Sequence, residues 1–392
     1  MEDVIREIRI RGASQQPEWS DLLQLSRVAE ALGARPTLVQ ADDVATLRTL
    51  LGKVALGEAM VLQSGDCAED PQECTRPHVA RKAALLDLLA GSLGLITGKP
   101  VVRAGRIAGQ FAKPRSKPTE FVDGVELPVF RGHMVNGPEP DRERRQADPL
   151  RILTGYMAAL DIVGHMGWRD RAEGRDAVEP LVWTSHEALL LDYEMPMLRT
   201  DAKGRLFLGS THWPWIGERT RQVEGAHVAL LAEVSNPVAC KVGPSMEPDE
   251  LLALCERLDR WRDPGRLTLI ARMGADAVAD RLPRLVEAVR GAGHPVVWLS
   301  DPMHGNTVTA PGGHKTRLVE TVSLEVTRFV EAVRSAGGIA GGLHLETTPD
   351  DVTECVLDAS ELASVGDRYT SHCDPRLTPS QALSVVSAWT AS

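Results

Sequence analysis

Nowhere in the 392 residues is there an uninterrupted apolar run of about 18, the length a helix needs to cross a bilayer. The first ten residues are charged and lack the apolar stretch of a secretory leader. Cysteine is scarce, and six in a chain this long are too few for a disulfide framework. There is no excess of positive charge: the formal net charge is −10, which excludes a global basic field for nucleic acid or an anionic membrane. No Gly-x-Gly-x-x-Gly follows the first expected strand, which argues against a dinucleotide fold. What remains is an acidic, cytoplasmic, globular protein with no nucleic-acid or membrane partner. Its 25% charged and 43% hydrophobic residues are ordinary for that class. The length suffices for one large core or two ordinary ones. Any anionic ligand must be held by a local cluster of cations.

Residues 1–57 read as a helical extension, with period-3.6 apolar spacing over 19–32 and 42–56 and punctuation at Gly33 and Pro36. From residue 58 to 392 a rhythm sets in. Short runs apolar on both faces are expected to be strands at 60–63, 101–107, 181–184, 206–209, 238–242, 267–271, 296–300 and 342–345. Helices are expected at 73–95, 150–166, 217–235, 248–260, 277–291 and 316–336. Eight such repeats over about 300 residues fit an α/β fold of the (β/α)8 TIM-barrel type better than an open doubly wound sheet. A Pro-, Gly- and charge-rich segment at 111–148 interrupts the rhythm, and loops of that length usually serve a site.

Polar residues gather after the expected strands, at the end where barrel enzymes carry their chemistry. The stretch 212–245 is the densest, with Glu218, Arg219 and Arg221 expected in the first turn of helix 217–235. Arginine is disfavoured there by the helix dipole, which points to an anion nearby. Two sets of residues emerge. Cys67, His304, Glu346 and Asp374 combine a thiolate, an imidazole and two carboxylates, a mixed donor set for a divalent metal such as Mn, Fe, Co or Zn. Singly each has an ordinary explanation; their joint position at strand ends suggests a site. Arg106, Lys113, Arg115, Arg219, Lys241, Arg272, Lys315 and Arg317 supply cations for at least one phosphorylated substrate. A metal beside phosphate-binding cations suggests polarisation of a carbonyl. The residues alone therefore reach a metal-assisted lyase, aldolase or transferase acting on small phosphorylated substrates.

Several long motifs, in order, resemble type II 3-deoxy-D-arabino-heptulosonate 7-phosphate (DAHP) synthases over about residues 20–380. They are Gly65-Asp66-Cys67-Ala68-Glu69, Gly105-Arg106-Ile107-Ala108-Gly109-Gln110 with Lys113-Pro114-Arg115-Ser116, and Thr184-Ser185-His186-Glu187. Trp215-Ile216-Gly217-Glu218-Arg219-Thr220-Arg221, Lys241-Val242-Gly243-Pro244-Ser245 and Asp301-Pro302-Met303-His304-Gly305-Asn306-Thr307 follow. His344-Leu345-Glu346 and Cys373-Asp374-Pro375 complete the series. The resemblance implies a (β/α)8 barrel and a metal-dependent, aldol-like condensation of phosphoenolpyruvate with D-erythrose 4-phosphate, the first step of the shikimate pathway to aromatic amino acids. It implies that Cys67, His304, Glu346 and Asp374 bind the metal. Arg106, Glu187, Glu218, Lys241 and Arg272 would surround phosphoenolpyruvate. Lys113 would be catalytic, as an acid or electrostatic stabiliser, and Arg115, Ser116, Arg219 and Asn136 would hold the sugar phosphate. A homo-oligomer, dimer or tetramer, and a chorismate-utilising partner enzyme also follow from the resemblance.

Two departures matter. His133 stands where many members carry an acidic residue, so an amino-sugar phosphate is the alternative acceptor. The segment before the barrel is short for members regulated by aromatic amino acids, which implies weak or absent feedback inhibition and a link to secondary metabolism. Cys373 adjoins Asp374 and so comes near Cys67; oxidation would join the two thiols and expel the metal, a bridge needing only about 6 Å between Cα atoms. A catalytically silent, partner-binding barrel is the reading from another class, but such a relative should have lost ligands or cations, and this chain keeps them.

Overall fold

The computed structural model describes residues 2–122, 124–169 and 181–390. Residues 1, 391 and 392, at the ends of the expected extension and barrel, and residue 123 in the expected long loop lie outside them. Eight parallel strands close into a barrel in chain order. They are β1 (Met60–Gly65), β2 (Val101–Arg106), β3 (Trp183–Glu187), β4 (Trp213–Ile216), β5 (Val238–Val242), β6 (Leu267–Ala271), β7 (Val297–Ser300) and β8 (Ala340–Glu346). Almost every residue of these strands is buried, as strands covered on both faces require. The (β/α)8 architecture expected from the apolar rhythm is therefore present.

Contacts group the chain into two compact units. One comprises Met1–Val44, Ala68–Ala80 and Ile107–Asn236, including β3 and β4; the other comprises Ala45–Cys67, Arg81–Arg106 and Pro237–Ser392, including the other six strands. In the first unit, helices Leu22–Gly33 and Leu150–His165 pack on each other, and Glu2–Arg9 packs on Ala226–Glu233. In the second, helices Pro248–Leu258, Val278–Gly291, Val319–Ser335 and Pro379–Ser387 pack successively. The last opens with Thr378 and Gln381 capping each other's backbone N–H groups and Pro379 in its first turn, the arrangement that satisfies the orphan donors of a helix start.

Three expectations are corrected. The run 206–209 is not a barrel strand: Leu206–Leu208 pairs antiparallel with Leu198–Thr200 in a side hairpin. The barrel strand is Trp213–Ile216, whose Pro214 lacks a ladder donor and so hid it from pattern reading. Helix 217–235 shrinks to Ala226–Glu233, with Gly225 at its N-cap. Gly217 lies against Glu187, whose Oε1 would be 2.0 Å from an added Cβ, and the chain turns at 217–220 and 222–225. Glu218, Arg219 and Arg221 are thus loop residues, and the dipole argument for them falls. The irregular segment 111–148 contains a hairpin, Thr119–Val122 with Val125–Pro128.

Closure of β8 on its neighbours depends on Gly341 and Gly342. Gly342 has φ +145°, and a Cβ there would stand 1.8 Å from the Val61 carbonyl oxygen of β1. The register of β7 on β8 slips at Gly341, where a Cβ would meet Val297 at 2.6 Å. Gly342→Ala must therefore separate β1 from β8, and denaturant unfolding should show a loss of at least about 3 kcal/mol. A loss below about 1 kcal/mol would contradict this packing.

Candidate active site

In the second unit, the ends of β1, β2, β5, β6, β7 and β8 and the loops after them carry Cys67, His304, Glu346 and Asp374 with Arg106, Lys241, Arg272, Lys315 and Arg317 of the cationic set. Glu346 ends β8 with its carboxylate fully buried between two guanidiniums, Arg106 Nη2 at 2.8 Å and Arg317 Nη2 at 2.9 Å. Ligating atoms of Cys67, Glu346 and Asp374 lie within 4.8 Å of one another. Cys67 Sγ is 3.6 Å from Asp374 Oδ2 and accepts the Asp374 backbone N–H at 3.3 Å. His304 completes the set, its Nε2 being 3.2 Å from Glu346 Oε1. Its Nδ1 faces the Asp301 carboxylate at 2.8 Å, so the proton belongs on Nδ1 and the Nε2 lone pair is left for a ligand. Sulfur, imidazole and carboxylate donors, each oriented by a second group, fit a divalent first-row ion.

Three cations stand beside these donors. Arg106, the last residue of β2, is buried and donates to the Asp66 carbonyl, to His344 and to Glu346. Because a guanidinium only donates, His344 Nε2 is the acceptor and its Nδ1–H points to Gln63 Oε1. Burial and the charges of Lys241 and Arg106 hold His344 well below the ordinary histidine value, so it is neutral. Lys241 Nζ lies 2.5 Å from Asp301. Burial lowers its pKa to about 8 despite Asp301, with Arg106 and Arg272 repelling its charge. Burial alone would raise Asp301, but His304 and Lys241 hold it well below the usual carboxylate range. Arg272 follows β6 and donates to the His304 carbonyl. An acidic protein that gathers mutually repelling cations at buried strand ends is prepared for an anion.

Two cations of the expected phosphate set do other work. Arg317 is fully buried against Glu346 and the Pro375 carbonyl, and Lys315 pairs with Asp374 at 2.9 Å. They orient carboxylates of the metal set. Sequence reading missed the layer behind it. Arg376 bridges Asp66 and Glu354, and Lys82 pairs with Asp66. Glu354 also accepts the backbone N–H groups of Thr370, Ser371 and Arg376, fixing the loop that carries Asp374. The signal available was Asp66 beside Cys67 and Arg376 two residues after Asp374, but Glu354 and Lys82 carry no local motif. All six cysteines are thiols.

In the first unit, Arg219 Nη2 donates to Ser116 Oγ at 2.7 Å, and Arg115 pairs with Glu120 while its backbone N–H is held by Gln15. Glu187 ends β3, its backbone N–H bound to Gln110 Oε1. Glu218 is bonded to Arg221 through Oε1, and its buried Oε2 has no hydrogen-bond partner among the described residues. Lys113 is buried, with its backbone N–H on the Arg131 carbonyl. Asn136 is a loop brace: its amide accepts from the Arg131 N–H and donates to the Val129 and Arg145 carbonyls. His133 Nε2 lies 4.0 Å from Asp70.

A closed barrel with buried cations and a sulfur–imidazole–carboxylate set at its strand ends defines a class, the metal-dependent enzymes that act on small phosphorylated substrates. The chain belongs to the class-II DAHP synthetase family, whose family model matches residues 4–169 and 159–389. It is 60% identical over 391 residues to a Pseudomonas fluorescens protein named probable phospho-2-dehydro-3-deoxyheptonate aldolase, covering 100% of this chain and 98% of that one. It is 41% identical over 421 residues to the Streptomyces coelicolor phospho-2-dehydro-3-deoxyheptonate aldolase, covering 95% and 94%. Enzymes of this family are metal-dependent.

The lowered Lys241 value has a consequence. Its ammonium prevails at pH 7, is half lost near pH 8 and is largely gone above about pH 9, so if Lys241 carries the substrate phosphate, affinity for phosphoenolpyruvate should fall by about tenfold between roughly pH 7 and pH 9.5. A flat binding profile over that range would count against the charge of Lys241 in binding. Arg376→Ala leaves Glu354 and Asp66 buried without that cation, and should cost about 3–5 kcal/mol in denaturant unfolding.

Proposed function

We propose that this chain condenses phosphoenolpyruvate with D-erythrose 4-phosphate to give DAHP and inorganic phosphate, in the cytoplasm, through the residues identified above. The observation that carries this reading is the buried group of Arg106, Lys241 and Arg272 beside Cys67, His304, Glu346 and Asp374. Those four residues would hold a divalent ion, Mn, Co, Fe or Zn, which when bound supplies Lewis-acid polarisation of the sugar aldehyde. Lys241 and Arg272 neutralise the phosphate of phosphoenolpyruvate, and Arg106 faces its carboxylate. Glu187 and Glu218 border the same substrate. Arg115, Ser116 and Arg219 take the sugar phosphate, and Asn136 keeps their loop in shape. The enolpyruvyl C3 adds to the aldehyde carbon, and Lys113 stabilises the charge that develops or donates the proton to the new hydroxyl. Water then adds at C2, and the C2–O bond to phosphate breaks.

Residues 58–392 act as the catalytic barrel in this reading, with the 111–148 segment as its substrate loop and 1–57 as a helical extension. Weak feedback by aromatic amino acids, a role in secondary metabolism, and a dimer or tetramer that works with a chorismate-utilising enzyme belong to the same reading, carried by the family resemblance. Cys373, buried next to Asp374, is the partner that Cys67 would take on oxidation. Loss of metal after mild oxidation tests that pairing.

Phosphate release from phosphoenolpyruvate should require both erythrose 4-phosphate and metal, and should stop with a chelator. Cys67→Ala should lower metal occupancy and reduce release by at least about a hundredfold. Turnover with an amino-sugar phosphate alone would shift the acceptor. Release without metal would overturn the assignment.

A further inference from the structure

The loops after β6 and β7 carry Arg272 and His304, and they are joined by more than adjacency. Gly274 has φ +85°, and a Cβ on Gly305 would stand 2.3 Å from its nitrogen, so the two backbones touch with no side chain between them. Arg272 Nη2 donates to the His304 carbonyl at 2.9 Å. Behind the pair lies Glu325, on helix Val319–Ser335, 1% exposed and in no sequence motif. Its Oε1 accepts the backbone N–H groups of Met273 at 3.1 Å and Gly274 at 2.9 Å, on the β6 loop. Its Oε2 accepts Asn306 Nδ2, on the β7 loop. Asn306 is itself fixed, its Oδ1 accepting the Ala275 N–H and its Nδ2 donating to the Pro302 carbonyl. Arg328, one turn along the same helix, donates to the Ala275 carbonyl at 2.7 Å.

We propose that Glu325 is a positioning residue that locks the Arg272 loop to the His304 loop, so that phosphoenolpyruvate and the divalent ion bind as a coupled pair. This rests on the assignment of Arg272 to the substrate phosphate and His304 to the metal. A carboxylate suits the position because every group hydrogen-bonded to it is a donor; an amide can satisfy only one side. In Glu325→Gln the oxygen can keep Met273 and Gly274, but the new NH2 then faces the Asn306 NH2. Asn306 cannot turn over without losing Ala275 and Pro302. The substitution therefore removes the Glu325 bond to the β7 loop and leaves the Ala275–Asn306 and Arg272–His304 bonds between the loops in place. By linkage, whatever affinity metal adds for phosphoenolpyruvate, phosphoenolpyruvate adds for metal.

The test is equilibrium binding of phosphoenolpyruvate to apoenzyme and to Mn2+-loaded enzyme, with Mn2+ binding followed separately by the paramagnetic resonance of the free ion. In the unsubstituted enzyme Mn2+ should tighten phosphoenolpyruvate binding by about tenfold or more, within the usual range of coupling between sites. Glu325→Gln should reduce that ratio to about threefold or less while the melting transition stays cooperative. Glu325→Gln with Asn306→Asp, which restores a donor opposite an acceptor, should recover part of it. If Glu325→Gln does not fold, Asn306→Ala removes the same bond from the other loop, together with those to Ala275 and Pro302, and should give at least the same loss. A folded variant whose two affinities both weaken with an unchanged ratio would make Glu325 merely structural and overturn the proposal. So would an unsubstituted enzyme with no coupling, although it turned over both substrates. An unsubstituted enzyme that neither binds phosphoenolpyruvate nor releases phosphate would instead overturn the functional reading.

Discussion

Glu346 is a fully buried carboxylate clamped by Arg106 and Arg317, and the surrounding architecture follows from what that clamp requires. A charge taken out of water is tolerated only when it is paired and its lone pairs are occupied. Arg106 meets the requirement from the end of β2, and Arg317 from the segment after β7. For β8 to carry Glu346 between them it must approach β1 so closely that Gly342 has no room for a side chain. The carboxylate then faces His304, Cys67 and Asp374, each supplied by a different strand end or loop. Fold and chemistry meet at this residue.

A second device recurs around it. Three buried glutamates each collect the backbone N–H groups of one loop. Glu69 takes Ala108, Gly109 and Gln110; Glu325 takes Met273 and Gly274; Glu354 takes Thr370, Ser371 and Arg376. Each loop bears or adjoins a residue assigned to substrate or metal. Loops with few apolar contacts are the parts of a barrel most free to move. A carboxylate that accepts two or three N–H bonds restrains such a loop without filling the space a substrate needs. The same bonds satisfy backbone donors that would otherwise be stranded in a dry interior.

The barrel was legible in the sequence because its strands are short, apolar on both faces and regularly spaced. Seven of the eight fall where the apolar runs predict them. The eighth was not, because Leu206–Leu208 has the strand pattern but spends its hydrogen bonds in a side hairpin, whereas Pro214 disguises the true strand. The helix at 217–235 was overextended because periodicity cannot sense that Gly217 must abut Glu187. Of the residues named from motifs, Cys67, Arg106, Glu187, Lys241, Arg272, His304 and Glu346 stand at or just after strand ends, since strand-end position is itself a sequence property. What the sequence could not reveal was pairing. Lys315 and Arg317 look like free cations until their carboxylates are seen, and Glu325, Glu354 and Lys82 act across distances that no local motif spans.

The central claim is that a thiolate, an imidazole and two carboxylates form one metal site in this barrel. Titration of metal-free protein with Co2+, followed by absorption spectroscopy, tests it most directly, because thiolate coordination gives a near-ultraviolet charge-transfer band that oxygen and nitrogen ligands do not. The band should grow to one equivalent of Co2+ in the unsubstituted protein and be absent in Cys67→Ser. One equivalent of Co2+ bound without that band, or a band that survives Cys67→Ser, would contradict the account.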